Sequence, residues 1–114
     1  MIIGKIFKFD SAHYLKGHDK CGAMHGHTYT LTVEVRGNVN PDTGMVIDFI
    51  DLIPKVQELI NLFDHKVIND NLTSPSTVEE LCLYFFYRLT NTHKLNIHSI
   101  QVQEGGGGYA RKEK

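Results

Sequence analysis

The sequence predicts an α+β domain: an antiparallel sheet with two helices packed on one face. Three observations carry that expectation. Two N-terminal segments alternate with period two, two central segments place apolar residues at helical spacing, and a further alternating segment lies near the C-terminus. With 114 residues and no linker, repeat or charge run to divide them, 1–114 reads as a single domain.

The elements follow in order. From Ile2 to His13 the odd positions Ile3, Lys5, Phe7, Phe9, Ser11 and His13 predict a first strand. From His25 to Arg36 the pattern is cleaner, with Tyr29, Leu31, Val33 and Val35 alternating with threonines and charges. Asn38 to Gly44, with Pro41 and Asp42, reads as a turn. Phe49, Leu52, Ile53, Val56, Ile60 and Phe63 make one apolar helical stripe. Pro54 is harmless only in a first turn, which puts the predicted helix start near Asp51. A second helix opens at Ser76 or Thr77, where Thr77 and Glu80 fit a capping box; Val78, Leu81, Cys82, Phe85 and Leu89 form its buried stripe. The strand expected from Ile97 to Glu104 carries His98, Ile100, Val102 and Glu104 on one face. Four glycines and a tail with Tyr109 and Ala110 complete the sequence, the tail being a candidate last strand. The helix-free face must then be polar or covered by another subunit. A domain this small gains from such cover, so oligomerisation is expected.

Composition narrows the function. A formal net charge of −1 gives no basic footprint for nucleic acid or an anionic membrane. No apolar run approaches a membrane span and no signal-peptide pattern precedes the domain, so a soluble cytoplasmic protein is the expectation. Cys21 and Cys82 sit in unlike surroundings and form no disulfide framework.

Four of the seven histidines (His13, His18, His25, His27) fall within fifteen residues, with Cys21 among them. His25 and His27 alternate on one strand face, and an antiparallel neighbour brings His13 close to both. Three neutral imidazoles suit zinc and leave a fourth position open for water or substrate. Cys21 is either a fourth ligand, which closes the site, or a base or nucleophile beside an open metal. Cys82 lies on an apolar helix stripe and reads as a core thiol. Asp64 and His65 read either as a proton-transfer pair, the carboxylate holding the imidazole, or as an ordinary loop dipeptide. Glu104 at the end of an inward face needs a donor, from internal backbone or from a ligand with several N–H groups. The glycines after it permit close backbone approach or simply a flexible turn.

Cys21-Gly-Ala-Met-His25-Gly-His27, preceded by Ser11-Ala12-His13, resembles the Cys-x-x-x-His-Gly-His signature of 6-carboxy-tetrahydropterin synthases, within the 6-pyruvoyl-tetrahydropterin synthase family. Phe63-Asp64-His65 with Asn69, Ser76-Thr77-Val78-Glu79-Glu80-Leu81, Gln103-Glu104 and the Gly44–Phe49 segment are similar to further family segments, in the right order. The sequence departs from the pattern at Ser76, where the family has Pro, and at Gly105, where Thr is common.

The resemblance implies the T-fold, assembled as trimers stacked into hexamers around a central barrel. It implies zinc held by His13, His25 and His27, with Cys21 as catalytic base. Asp64 and His65 would be its catalytic partners across a subunit boundary, Glu104 the pterin anchor, and Thr77 with Glu79 the support of that pocket. The implied substrate is 7,8-dihydroneopterin triphosphate, with Lys16, Lys20, Lys66 or His18 as candidate phosphate contacts. Only three residues separate Cys21 from His25, a spacing similar to the carboxy-forming branch that serves queuosine biosynthesis. Pyruvoyl-tetrahydropterin formation, another pterin side-chain cleavage, and a non-catalytic zinc- or pterin-binding module are the alternatives.

Overall fold

The computed structural model describes all residues, 1–114. Its elements are β1 (Ile2–His13), β2 (His25–Arg36), α1 (Phe49–Ile60), β3 (Lys66–Val67), α2 (Val78–Tyr87), β4 (Ile97–Glu104) and β5 (Tyr109–Glu113). A 3-10 turn, Ile68–Asp70, follows β3 and a π turn, Arg88–Thr92, extends α2. The sheet order is β3-β1-β2-β4-β5. No helix is long and apolar enough to cross a membrane.

β1 and β2 have the bounds that their alternation predicts, and they pair antiparallel from Ile2–Arg36 to His13–His25. β2–β4 and β4–β5 are antiparallel as well. The expected purely antiparallel sheet is nonetheless corrected to a mixed one, because β3 pairs parallel to β1 at Ser11–Lys66 and Ala12–Val67. Two residues carry no period, so only the pairing defines this strand.

Both helices cover one face. The core gathers Phe7, Phe9, Tyr29, Leu31 and Val33 from the sheet with Leu52, Val56, Ile60, Leu81 and Phe85 from the helices. α1 starts at Phe49, two residues before the expected Asp51, because the Asp48 carboxylate accepts from Ile50 N–H and caps the helix there. Pro54 therefore falls in the second turn. Its missing N–H leaves the Ile50 carbonyl without a helical donor, at a residue 76 % exposed where solvent is available. Phe49, expected in the buried stripe, is exposed; Leu59 is buried instead. Thr77 caps α2, its hydroxyl accepting from Glu80 N–H at 3.2 Å.

β4 contains a second correction. A bulge pairs Glu34 with Ser99 but Val35 with Ile97, so His98 is the extra residue and Ile97 takes the inward place expected for His98. Ile97, Ile100 and Val102 are buried.

The helix-free face is mostly polar, with Ile6 and Tyr109 exposed on it. Thr28, Thr30, Thr32 and Glu34 lie there with Gln101 and Gln103. Ser99 Oγ donates to Glu34, and Arg111 Nη2 lies 3.0 Å from its Oε1. The Ser99 hydrogen bond, and then Arg111, holds the Glu34 carboxyl below its ordinary value. A depressed carboxylate stabilises the fold above its unfolded pKa and loses that contribution as pH falls through its folded value. Glu34→Gln is therefore expected to lower the melting temperature by roughly a few degrees near neutral pH. The difference from wild type should narrow as pH falls through and below the ordinary glutamate range; a deficit that stays constant through acid pH contradicts this account.

Candidate metal and active site

The three histidines converge where β1 ends and β2 begins, on the helix-covered face of the sheet. His13 and His25 are register partners, and His27, opposite Ser11, lies diagonal to His13 on the same face. Ring centroids are 4.5 Å apart for His13–His25, 4.9 Å for His25–His27 and 5.2 Å for His13–His27. One ring nitrogen from each falls within 4.8 Å of the other two.

Hydrogen bonding fixes which nitrogens face the centre. His13 Nδ1 is 2.6 Å from the Ser76 carbonyl and His25 Nδ1 is 2.7 Å from the Ala23 carbonyl. A carbonyl only accepts, so both Nδ1 atoms carry the proton and both Nε2 atoms present a lone pair. His13 is 1 % exposed, and burial lowers its pKa, which keeps it in the neutral form a metal needs. The Nε2 atoms of His13 and His27 are buried without a hydrogen-bond partner. Such orphaned nitrogens cost stability unless something occupies the space they face. The donor set therefore fits a borderline-soft divalent cation, with zinc first among them.

Glu104 completes this corner. It is the register partner of Tyr29, two residues along the same face from His27. Its carboxylate lies 3.3 Å from His27 Nε2 and 3.9 Å from His13 Nε2; the shorter contact is out of line for a hydrogen bond. The pairing of β2 with β4 brings it there, a long-range register that the sequence does not reveal. Below it, the Tyr29 hydroxyl is buried without a partner, and burial, reinforced by Glu104, raises its pKa.

Cys21 is half-buried in the loop between β1 and β2, outside the cluster of three imidazoles. Its carbonyl accepts from Leu15 N–H at 2.8 Å and its N–H donates to His18 Nδ1 at 2.9 Å. This arrangement favours the open three-histidine set over a closed site with sulfur as fourth ligand.

Asp64 and His65 form a second cluster. Asp64 Oδ1 accepts from Asp10 N–H at 3.0 Å and lies 3.0 Å from His65 Nδ1. The Asp10 N–H, and then the His65 ring, holds the Asp64 carboxyl below its ordinary value. His65 adopts φ 58°, a left-handed conformation that costs a non-glycine residue about 1–2 kcal/mol, held by its N–H donating to Asp10 O at 2.6 Å. Asp10, which the sequence reading did not single out, joins them: its side chain accepts from Thr28 Oγ1 at 2.5 Å on the helix-free face. The two clusters thus occupy opposite faces of β1. A cavity of about 570 Å³ opens beside His65, bounded by residues 10–12 and 26–28.

The remaining candidates separate. Thr77 is engaged as the α2 cap, and Glu79 is exposed in the first turn without a hydrogen bond. Lys66 Nζ donates to the Asn61 carbonyl at 2.8 Å. Lys16 and His18 line a groove of about 880 Å³ that reaches Ser76 and Thr77, while Lys20 is exposed on the same loop. Ser76 and Ala23, whose carbonyls orient two imidazoles, had no signal in the sequence because any residue supplies a carbonyl.

Comparison with known proteins agrees with this geometry. The chain is 40 % identical over 110 residues to a putative 6-carboxy-5,6,7,8-tetrahydropterin synthase of Archaeoglobus fulgidus, covering 96 % of this chain and 93 % of the relative. It is 36 % identical to the 6-carboxy-5,6,7,8-tetrahydropterin synthase of Haemophilus influenzae, over 90 % and 91 % of the two chains. The structure of Caenorhabditis elegans 6-pyruvoyl tetrahydropterin synthase superposes with a TM-score of 0.88 at 22 % identity, covering 100 % of this chain and 95 % of that one, which shows the shared T-fold. The profile of the 6-pyruvoyl tetrahydropterin synthase family matches residues 2–114, and with that match over nearly its whole length the chain belongs to this family of pterin-processing enzymes.

Proposed function

We propose that this protein converts 7,8-dihydroneopterin triphosphate to 6-carboxy-5,6,7,8-tetrahydropterin, releasing acetaldehyde and triphosphate, in the route to queuosine. The observation that carries the reading is the convergence of three imidazoles with two buried, unpartnered Nε2 atoms beside a carboxylate. The names of the two relatives and the three-residue spacing from Cys21 to His25 favour the carboxy-forming branch over the pyruvoyl-forming one.

His13, His25 and His27 hold zinc, which when bound supplies Lewis acidity toward the oxygens of the substrate side chain. Glu104 accepts from the N–H groups along the pterin edge, with Thr77 and Glu79 supporting that pocket. Cys21 takes the carbon-bound proton. Asp64 fixes the His65 ring, which donates a proton elsewhere on the substrate. Because the two clusters lie on opposite faces of β1, His65 serves the site of a neighbouring subunit.

Assembly into trimers or hexamers supplies that neighbour. The outer edge of β5, and the edge of β1 facing away from β2 between Ile2 and Phe9, have no strand partner, which favours joining of sheets between copies. A fully active monomer at micromolar concentration would contradict the shared site.

The deciding experiment incubates zinc-loaded, reduced protein with 7,8-dihydroneopterin triphosphate and reads products by mass spectrometry. The carboxy product with acetaldehyde supports the proposal, a pyruvoyl product moves the protein to the other branch, and binding without turnover makes it a non-catalytic module. In the same assay Cys21→Ala is expected to retain one zinc per chain while losing at least about a hundredfold in turnover. Loss of the zinc instead makes Cys21 a ligand.

A further inference from the structure

The loop that carries Cys21 leaves β1 at Tyr14, directly after His13, and a side chain holds its root. The β1–β3 ladder stops at Ala12–Val67, where the chain turns into the 3-10 segment Ile68–Asp70. Asn69, inside that turn, takes over. Its Oδ1 accepts from Tyr14 N–H at 3.1 Å and its Nδ2 donates to the Tyr14 carbonyl at 3.0 Å. A carboxamide carries the same donor and acceptor as a peptide group, so Asn69 continues the pairing to Tyr14, two residues beyond Ala12 where backbone pairing ends. Ser76 Oγ donates to the same Tyr14 carbonyl at 3.0 Å, while the Ser76 carbonyl holds His13 Nδ1. From Tyr14 the hold passes to Leu15, whose N–H donates to the Cys21 carbonyl.

We propose that Asn69 is a positioning residue of the metal site, fixing Tyr14 and thereby both the orientation of His13 and the exit of the Cys21 loop. The metal half of this inference rests on the reading of the three histidines as ligands. Asparagine suits the task because the clamp needs one donor and one acceptor at one distance from the backbone. Aspartate keeps the acceptor but sets a second oxygen against the Tyr14 carbonyl, and alanine supplies neither.

The test titrates Co²⁺, as a spectroscopic probe, into the full-length apo chain and measures iodoacetamide alkylation of Cys21. Cys82, at 2 % exposure, does not compete. Asn69→Ala is expected to weaken Co²⁺ affinity about tenfold, the lower end for a residue acting behind a ligand, and to alter the visible absorption band. It is also expected to speed alkylation several-fold. Asn69→Asp, nearly equal in size, should behave like the alanine variant, which a space-filling role does not predict. If Asn69→Ala fails to fold, Asn69→Asp and the milder Ser76→Ala carry the comparison. Affinity within twofold of wild type and unchanged alkylation overturn the proposal, whatever the melting temperature. If wild type takes up no Co²⁺, the metal reading fails and alkylation decides alone: a faster rate keeps the clamp as positioning of Cys21, an unchanged rate overturns it.

Discussion

Replacing His27 by alanine is expected to remove both the bound metal and turnover while leaving the fold in place. His27 Nε2 makes no hydrogen bond within the chain, and its side chain is 25 % exposed, so truncation breaks no internal bond and opens no enclosed cavity. What disappears is one of three donors. The loss in turnover should be on the order of a thousandfold or more, beyond the ten- to hundredfold that residues behind a ligand contribute. His13→Ala should lose metal equally but also fold less well, because it leaves the Ser76 carbonyl unpartnered and empties a site that is 1 % exposed. The contrast between the two variants separates ligand from scaffold. Metal content and product formation, measured on both with their melting temperatures, check it; a metal-free His27→Ala protein with full turnover defeats the zinc reading.

The legible part of this site is the part built on regular strands. His13, His25 and His27 all occupy odd positions of two strands whose alternation is visible in the sequence, so their common face follows from a period of two. Glu104 was assigned to the inward face of β4 correctly, but its approach to His27 depends on the register of β2 with β4, and a bulge at His98 sets part of that register. The same bulge explains why His98 was placed inward while Ile97 holds that position. β3 was missed because two residues have no pattern of their own. α1 starts at Phe49 rather than near Asp51 because the Asp48 cap is a stronger local signal than the missing N–H of Pro54. Asp10 sits on the polar face, where a carboxylate in a strand is unremarkable until its neighbour across the strand and the Asp64–His65 turn are known.

Mixing two inactive variants is expected to restore activity, and this is the sharpest consequence of the arrangement. The imidazole cluster lies on the helix-covered face of β1 and the Asp10–Asp64–His65 cluster on the opposite face. A rigid sheet separates them, and His65 is further pinned by its left-handed backbone and its bond to Asp10. On the proposed reading, the Asp64–His65 pair of one subunit therefore acts with the imidazole cluster of its neighbour. A His65→Ala subunit retains the imidazoles, and a His27→Ala subunit retains the Asp64–His65 pair. Co-refolded in equal amounts, half of the imidazole clusters are intact, and half of those meet an intact His65 from a neighbour. Activity should therefore recover to about a quarter of wild type from two parents that are each nearly inactive. Mixing the folded oligomers without dissociation should recover nothing, which controls for trace wild type. If co-refolded mixed oligomers remain inactive while wild type passed through the same procedure regains full turnover, each site draws its residues from one subunit. The Asp64–His65 pair would then act on the imidazole cluster of its own subunit, and the shared-site reading would fall.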